Sequence, residues 1–222
     1  MHELGVFARY WSPGKVKTRL ARTIGDEAAA EIYRASLAVT LDRFSAAGDV
    51  RTVAFTPLER QAEMQAFAGT CWIARPQASG DLGQRIEHYF SEAFARGATR
   101  IVLIGSDSPT LPIAFVYDAW RQLADAPVVL GPAQDGGYYL VGLSQPLPAL
   151  FADIAWSTPL VWSQTVARLQ QLSVSWTKLP PWHDFDDQSD LRRLRTELAD
   201  LLRESPEYQP LVDAIDRTTA LP

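Results

Sequence analysis

The chain has 222 residues, 47% of them hydrophobic and seven of them tryptophan, which is enough apolar material for a packed core and argues against disorder. Its net charge of −5 argues against a general nucleic-acid-binding protein and against docking on an anionic membrane surface. The single cysteine excludes an internal disulfide and a cysteine-based metal cluster, and we find neither a signal peptide nor an apolar run that could span a membrane. These features predict a cytoplasmic protein.

Strand-like and helix-like segments alternate along the chain. The clearest strand is "RIVLIG" at 100–105, an aliphatic run that ends in glycine. The clearest helix is 81–97, where Leu82 and Ile86 lie on one face. Such alternation predicts an α/β fold with helices on both faces of a mostly parallel sheet, in one domain over 1–222. In chain order the predicted elements are strand 4–9, helix 26–44, strand 50–55, helix 58–68, strand 71–76, helix 81–97, strand 100–105, helix 112–124, strands 127–132 and 138–143, helix 158–172, strand 174–179 and helix 188–202.

The loop after the first strand is strongly basic, with five Lys and Arg residues and no acid between positions 9 and 22. Ligands of mostly parallel sheets bind beyond the carboxyl ends of the strands, which is where this loop begins. Glycine lets a phosphate approach the backbone, and amide groups near a helix start attract anions. We therefore predict a phosphate-binding loop, with a solvated basic loop as the alternative. Its predicted binding residues are Gly14, Lys15, Lys17 and Arg19.

The loop "RPQASGDLGQR" at 75–85 precedes a predicted helix and contains two glycines through which backbone groups could contact a nucleotide. The candidate residues of this loop are Gln77, Gly80, Asp81 and Gly83. Asp81 has an alternative interpretation, because an aspartate directly before a helix is a common N-cap.

Asp107 follows the most hydrophobic predicted strand and is the best candidate for a metal ligand. A carboxylate in such a place loses solvation unless it meets a cation, and Mg²⁺ or Mn²⁺ is held by one or two carboxylates together with substrate phosphates. The alternative is an N-cap of the next helix. Asp186 is the predicted partner, because the nearby Asp187 and Asp190 have the spacing of a helix cap. Whether Asp184 also binds the metal is left open.

The segment "GPAQDGGYYLVGL" at 131–143 places Asp-Gly-Gly between two predicted strands. Asp-Gly predicts a plain hairpin turn, whereas the neighbouring prolines, glycines and tyrosines favour a shaped pocket, and both interpretations stay open. Aromatic residues here and elsewhere could line that pocket or belong to the core. The pocket candidates are Asp135, Gly136, Gly137 and Tyr138, with Trp11, Tyr139 and Trp156 as further aromatic candidates.

These motifs together resemble a bacterial family of transferases, known as glycosyltransferase-A-like or selenium-domain-associated transferases. The resemblance covers about residues 4–202 and rests on "FARYWSPGKVKTRLARTIG", "GDLGQR", "GSDSPTLP", "GPAQDGGYYLVGL", "IAWST" and "DFDDQSDL" in this order. Family members often have Lys where this chain has Arg9. The family is similar in turn to molybdenum-cofactor and phospholactate guanylyltransferases and to sugar-1-phosphate uridylyltransferases.

The resemblance implies a Rossmann-like GT-A fold that binds a nucleotide and Mg²⁺. It implies that Asp107 and Asp186 share the metal and that the basic first loop binds the phosphates of the donor. It also implies that the loop at Asp135, Gly136 and Gly137 faces a small-molecule acceptor.

Three functions are consistent with these residues. A nucleotidyltransferase would use Asp107, Lys17 and Arg19 to transfer the nucleotidyl group of an NTP to a small phosphorylated or phosphonate acceptor. A glycosyltransferase would use an NDP-sugar, and a third candidate binds a nucleotide without turnover. We prefer the first, because five basic residues suit a triphosphate. Metal-dependent sugar transferases of this fold, moreover, usually have Asp-x-Asp where this chain has Ser-Asp-Ser.

Overall fold

The computed structural model describes residues 1–219 and shows, within this range, a seven-stranded sheet and eight α-helices. The strands are β1 (His2–Arg9), β2 (Val50–Thr56), β3 (Ile73–Pro76), β4 (Arg100–Gly105), β5 (Val128–Pro132), β6 (Tyr138–Leu143) and β7 (Trp176–Lys178). The helices are α1 (Thr18–Ile24), α2 (Asp26–Arg43), α3 (Gln61–Ala68), α4 (Leu82–Ala95), α5 (Ile113–Gln122), α6 (Val161–Gln171), α7 (Gln188–Leu201) and α8 (Gln209–Thr219).

The strand order is β3-β2-β1-β4-β6-β5-β7, and every neighbouring pair is parallel except the two pairs that contain β6. Val6 in β1 pairs with Val53 in β2 on one side and with Ile104 in β4 on the other. The chain runs from β1 through β2 to β3 and then returns to β4, so the strand order reverses between β1 and β4. The predicted α/β fold with a mostly parallel sheet is confirmed, and this reversal marks the expected ligand site.

Helices cover both faces of the sheet, because successive side chains of each central strand enter different cores. Val102 and Ile104 of β4 belong to a core that also contains residues of α2, α3 and α5. Ile101 and Leu103 of the same strand belong to a second core, which contains residues of α4 and α6. A sheet buried on both sides leaves its strand ends and loops as the places for polar chemistry.

A third apolar cluster joins α1, α2, α7 and α8 outside the sheet. Leu20 of α1, Leu194 of α7 and Phe185 in the segment before α7 are among its buried members. The cluster holds the loop before α1 against the segment before α7, although 168 positions separate Lys17 from Phe185. This packing brings two of the polar segments predicted from the sequence to the same end of the sheet.

Two helices, α1 and α8, are absent from the sequence-based prediction. α1 has only seven residues and buries just Leu20 and Ala21, which is too short for a clear helical period. α8 buries Leu211 and Ile215 at helical spacing, so its sequence did contain a signal. Within residues 1–219 no helix combines the length and the apolar character that a bilayer crossing requires.

Several predicted boundaries are shifted by two or three residues, including the starts of the helix expected from 158 and of the strand expected from 71. The helix expected from position 158 begins at Val161, because the Thr158 hydroxyl accepts a hydrogen bond from the backbone N–H of Leu160 in a turn. The strand expected from position 71 begins at Ile73, and Cys71 is exposed in the bend before it rather than buried in an apolar strand.

Candidate functional site

Two adjoining pockets open at the carboxyl ends of β1 and β4, where the strand order reverses. The larger has a volume of about 830 Å³ and the smaller about 490 Å³, sizes that suit small-molecule ligands. Both are lined by Arg19, Asp107, Trp156 and Asp186, so the two pockets form one cleft.

The two halves of the cleft carry opposite charges. The larger half, here called the basic pocket, contains five basic and three acidic residues among its lining. The smaller half, here called the acidic pocket, contains four aspartates and only one basic residue. Such a division attracts phosphate to one half and cations or hydroxyl groups to the other. The basic pocket is defined by Arg9, Lys15, Lys17, Arg19 and Arg85, and the acidic pocket by Asp107, Asp135, Asp184 and Asp186.

Lys17 links the two carboxylates that the sequence predicts as metal ligands. Its Nζ forms an ion pair with Oδ1 of Asp107, 2.5 Å away, and donates hydrogen bonds to Oδ1 of Asp186, 3.2 Å away, and to the backbone carbonyl of Phe185. The Lys17 side chain is 2% exposed, whereas those of Asp107 and Asp186 are 46% and 41% exposed. Three oxygens of the protein therefore surround the buried ammonium group. This differs from the exposed basic loop that the sequence suggests.

The charge and the backbone of Lys17 both fit this buried position. Burial by itself lowers the pKa of Lys17, but the charges of Asp107 and Asp186 outweigh it, so the pKa is raised above its ordinary value. The residue precedes α1 in the left-handed conformation, with φ 46°, which costs a non-glycine residue about 1–2 kcal/mol. We attribute this conformation to the packing around it, since Val16 beside it is buried against Ala30 and Tyr33.

Tyr33 of α2 supports the turn that places Asp107 in the cleft. Its hydroxyl lies 2.9 Å from Oγ of Ser106 and accepts a 3.0 Å hydrogen bond from the backbone N–H of Arg9. Burial, followed by the charge of Asp107, raises the pKa of Tyr33 to about 12, so the hydroxyl stays protonated. The carbonyl of Asp107 accepts a hydrogen bond from the N–H of Phe185. These contacts fix Asp107 to the ends of β1 and β4 and to the segment of Asp186.

Asp184 and Asp135 complete the acidic pocket. The segment from Asp184 to Asp186 is irregular, and both carboxylates line the pocket. Burial, followed by the charges of Asp135, Asp186 and Asp107, raises the pKa of Asp184 to about 6. The four carboxylates thus create a negative field, which the Lys17 ammonium between Asp107 and Asp186 and the Arg19 guanidinium offset in part.

Three of the four candidates in the loop at 75–85 line the basic pocket, namely Gln77, Gly80 and Asp81. The Gln77 amide donates to backbone carbonyls of β1 and β2 and so ties these strands together. Asp81 caps α4, because its carboxylate accepts a 2.9 Å hydrogen bond from the N–H of Gln84 while the Gln84 side chain accepts one from Asp81. The N-cap interpretation of Asp81 is confirmed, and contact of these residues with a nucleotide stays a prediction.

Gly14 and Gly83 are not among the residues that line the two pockets. Gly14 has φ 71° and forms part of the turn in which the N–H of Lys15 donates to Ser12. A β-carbon on Gly83 would lie 2.3 Å from Nε1 of Trp156, so the missing side chain makes room for that ring. Since Trp156 lines both pockets, Gly83 shapes the cleft through packing rather than through its own backbone.

The loop between β5 and β6 is a hairpin that also lines the acidic pocket. The two strands pair antiparallel, and Asp135 accepts a hydrogen bond from the N–H of Gly137 within the turn. Asp135, Gly137 and Tyr138 face the pocket, whereas a β-carbon on Gly136 would lie 2.5 Å from the carbonyl oxygen of Pro159. Gly136 therefore allows the turn to approach the segment before α6, and its φ of 93° also favours glycine.

Some residues that line the pockets were not among the predicted site residues, and one of the aromatic candidates lies outside both pockets. Arg85 lines the basic pocket, and its Nε donates a hydrogen bond to the carbonyl of Gly80. Its position at the end of the "GDLGQR" motif could have identified it as a site residue from the sequence. Arg9 and Ser157 also line this pocket. Trp11 lines neither pocket and instead packs against Phe67, while Tyr139 and Trp156 line the acidic pocket.

Comparison with known proteins identifies the family. Residues 40–158, more than half of the chain, match the family described as uncharacterized proteins conserved in bacteria (DUF2064). The chain belongs to this family. A solved structure from Desulfovibrio desulfuricans G20, provisionally named a nucleotide-diphospho-sugar transferase, is 30% identical over 96% of this chain and 97% of its own, with a TM-score of 0.86. The bacterial transferase family predicted from the motifs is therefore confirmed.

More distant solved structures share the fold. A cytidylyltransferase from Leptospira borgpetersenii is 15% identical over 99% of this chain and 95% of its own, with a TM-score of 0.56. The Mycobacterium tuberculosis protein Rv0371c, in a complex with manganese, is 18% identical over 87% and 98%, with a TM-score of 0.50. No curated protein matches the sequence. These likenesses confirm the predicted GT-A-like fold, and the transferase name of the Desulfovibrio protein agrees with the predicted enzyme class.

The carboxylate pair provides oxygen ligands of the kind that a divalent cation takes. Asp107 and Asp186 direct oxygens at one point, the Lys17 ammonium, and both side chains are open to the cleft. Within residues 1–219 no group of three or more acidic, histidine or cysteine side chains is arranged to hold a metal by itself. Two carboxylates with further oxygens from substrate phosphates and water are a common Mg²⁺ environment, so the donor set fits if a nucleotide completes it.

Proposed function

We propose that the protein is a divalent-metal-dependent nucleotidyltransferase that acts on a small acceptor. The observation that supports this best is the charge division of the cleft. A pocket with Lys15 and Arg19 on its wall suits the polyphosphate of an NTP, and the carboxylates Asp107 and Asp186 lie directly beside it. The reversal of strand order at the same place is where nucleotides bind in related folds.

Four of the five basic residues of the basic pocket act on the donor in this proposal. Lys15 is exposed and Arg19 is largely exposed, so both can contact phosphate oxygens and stabilise the departing pyrophosphate. Arg9 and Arg85 lie on the same wall and extend the positive field. Asp107 and Asp186 would hold Mg²⁺ or Mn²⁺, which neutralises charge that develops on the transferred phosphoryl group.

The acidic pocket is the proposed acceptor site. The sequence predicts a phosphorylated or phosphonate acceptor, and such a group would lie among Asp107, Asp135, Asp184 and Asp186. Binding of that acceptor therefore requires the divalent cation, together with Lys17 and Arg19, to offset the four carboxylates. An acceptor that presents a hydroxyl group meets no such repulsion, because carboxylates accept hydrogen bonds from hydroxyls.

A glycosyltransferase is the second candidate, and the lining of the acidic pocket favours it. Carboxylates beside the rings of Tyr138, Tyr139 and Trp156 offer hydrogen-bond acceptors and apolar faces, which together suit the sugar of an NDP-sugar. The name of the Desulfovibrio relative agrees with this alternative. We rank it second, because metal-dependent sugar transferases of this fold usually have Asp-x-Asp where this chain has Ser106, Asp107 and Ser108.

A thermal-shift panel tests these functions against each other. The four NTPs and the UDP-, GDP- and dTDP-sugars are each added with Mg²⁺, and again with EDTA. A ligand that binds only the folded protein raises the melting temperature in proportion to the logarithm of its excess over Kd. We expect stabilisation by one NTP that disappears in EDTA. Stabilisation by an NDP-sugar alone would support the glycosyltransferase, and a flat panel would contradict both.

Arg19→Ala is expected to weaken nucleotide binding about tenfold, which corresponds to about 1.4 kcal/mol, because one charge-assisted contact with phosphate is lost. The melting temperature without nucleotide should hardly change, since the Arg19 side chain is 72% exposed. Isothermal titration with the NTP selected by the panel measures the effect. Arg22→Ala is the matched control, because Arg22 is an exposed residue of α1 outside both pockets. Equal affinities of the two variants would contradict the role of Arg19.

The location proposed for the protein is the cytoplasm. Cys71 is free and exposed, which suits a reducing compartment in which surface thiols stay reduced.

A further inference from the structure

The position of Lys17 raises a question that the basic character of its loop does not answer. A lysine that binds phosphate presents free N–H groups to the ligand, but the Lys17 side chain is 2% exposed, and its ammonium group is surrounded by oxygens of Asp107, Asp186 and the Phe185 carbonyl. The ring of Phe185 covers it as well, with Nζ 3.9 Å from the ring centroid. Lys15, in contrast, lies exposed on the same loop.

The ammonium group occupies the point at which the two carboxylates converge. A divalent cation held by Asp107 and Asp186 would need the same oxygens, Oδ1 of each residue, or would lie close to a positive charge. The two carboxylates that contact the ammonium carry two negative charges, whereas the ammonium and a divalent ion at the same oxygens together carry three positive charges. Asp135 and Asp184 line the same pocket without contacting the ammonium. The polyphosphate of a nucleotide adds negative charge and oxygen ligands directly at the metal.

We propose that Lys17 is a built-in counter-cation of the Asp107–Asp186 pair, which competes with the divalent metal and makes metal binding depend on the nucleotide. This inference rests on the metal dependence proposed above. In the ligand-free protein Lys17 holds the carboxylates together and keeps metal affinity low. When the nucleotide is bound, its phosphates offset the excess positive charge, and metal and nucleotide each strengthen the binding of the other. Lys17 is thus a positioning residue that regulates the order of binding.

Binding of Mn²⁺ to the nucleotide-free protein tests the proposal without any measurement of activity. The free Mn²⁺ signal in electron paramagnetic resonance gives Kd for the wild type, Lys17→Met and Lys15→Met. We expect Lys17→Met to bind Mn²⁺ roughly tenfold more tightly than the wild type, a coupling within the usual range. Lys15→Met removes an equal charge from the same loop, but Lys15 has no ion pair among the described residues, so its Kd should stay within about twofold of the wild type.

The outcomes separate this inference from the proposed function. The proposed competition between Lys17 and the metal is wrong if Lys17→Met binds Mn²⁺ with the same affinity as the wild type or more weakly. Either result leaves the proposed metal dependence intact. If no protein binds Mn²⁺ with or without nucleotide, the metal dependence itself fails, and the inference fails with it. Circular dichroism checks that each variant folds. If Lys17→Met does not fold, Lys17→Gln replaces it, because its amide can still donate to the Phe185 carbonyl without a charge.

Discussion

Asp107→Asn should lower kcat/KM by about 100-fold or more with the donor that the panel identifies, because one of the two proposed metal carboxylates is lost where charge develops in the transition state. The fold should survive the change. The Asp107 side chain is nearly half exposed, Asn keeps an oxygen that can accept from Lys17, and Asp186 and the Phe185 carbonyl still bind the ammonium. We expect a stability loss of about 1–2 kcal/mol. Initial rates and thermal unfolding measure the two effects.

The matched control for this variant is Asp118→Asn. Asp118 lies in α5 and pairs with Arg121 away from the cleft, so the same chemical change there should leave the rate unaltered. An Asp107→Asn protein with full metal-dependent turnover would show that the metal assignment is wrong. A variant that is inactive only because it unfolds would reveal itself through a melting temperature far below that of the control.

Arg96→Leu should cause the largest loss of stability, about 2–4 kcal/mol, because it leaves the carboxylate of Glu3 buried without a counter-charge. Glu3 is fully buried in β1, and one of its oxygens accepts 3.0 Å hydrogen bonds from Arg96, Tyr89 and Thr52. After the substitution two neutral hydroxyls remain. For a chain of this size the melting temperature should fall by about 5–15 °C, which differential scanning calorimetry measures.

Two further variants distinguish the buried charge from a general effect of removing arginine. Arg121→Leu breaks an exposed pair and should cost less than about 0.5 kcal/mol. Adding Glu3→Gln to Arg96→Leu should restore part of the stability, since the uncompensated charge is then gone. If Arg96→Leu is as stable as Arg121→Leu, or if the double variant is less stable than Arg96→Leu, the explanation is wrong.

Much of the fold and part of the cleft follow from local patterns in the sequence. Strand β4 is predictable because a continuous aliphatic run needs burial on both faces. Asp107 is predictable as a cleft residue because it directly follows this strand, and carboxyl ends of parallel strands share one edge. The caps at Asp81 and Asp187 are predictable because a capping box has a fixed local spacing, and the structure contains both.

Other features depend on contacts that no local pattern records. Gly83 was predicted from its motif to approach a ligand, but it accommodates the ring of Trp156, which lies 73 positions further along the chain. α1 escaped detection, because a seven-residue helix that buries two side chains has almost no period to recognise. Its stability comes from the cluster with α7 and α8, which is a tertiary contact.

The sequence by itself determined the α/β class, the polar loops at the strand ends and the residue types gathered in them, because burial, turn formation and capping act over a few neighbouring residues. Only the tertiary structure decided that Lys17 lies between Asp107 and Asp186, with three oxygens around its ammonium group. That arrangement depends on the apolar cluster that packs the segment of Phe185 against the first loop. A charged side chain adopts a buried position only where the folded chain supplies its partners, and those partners are distant in sequence.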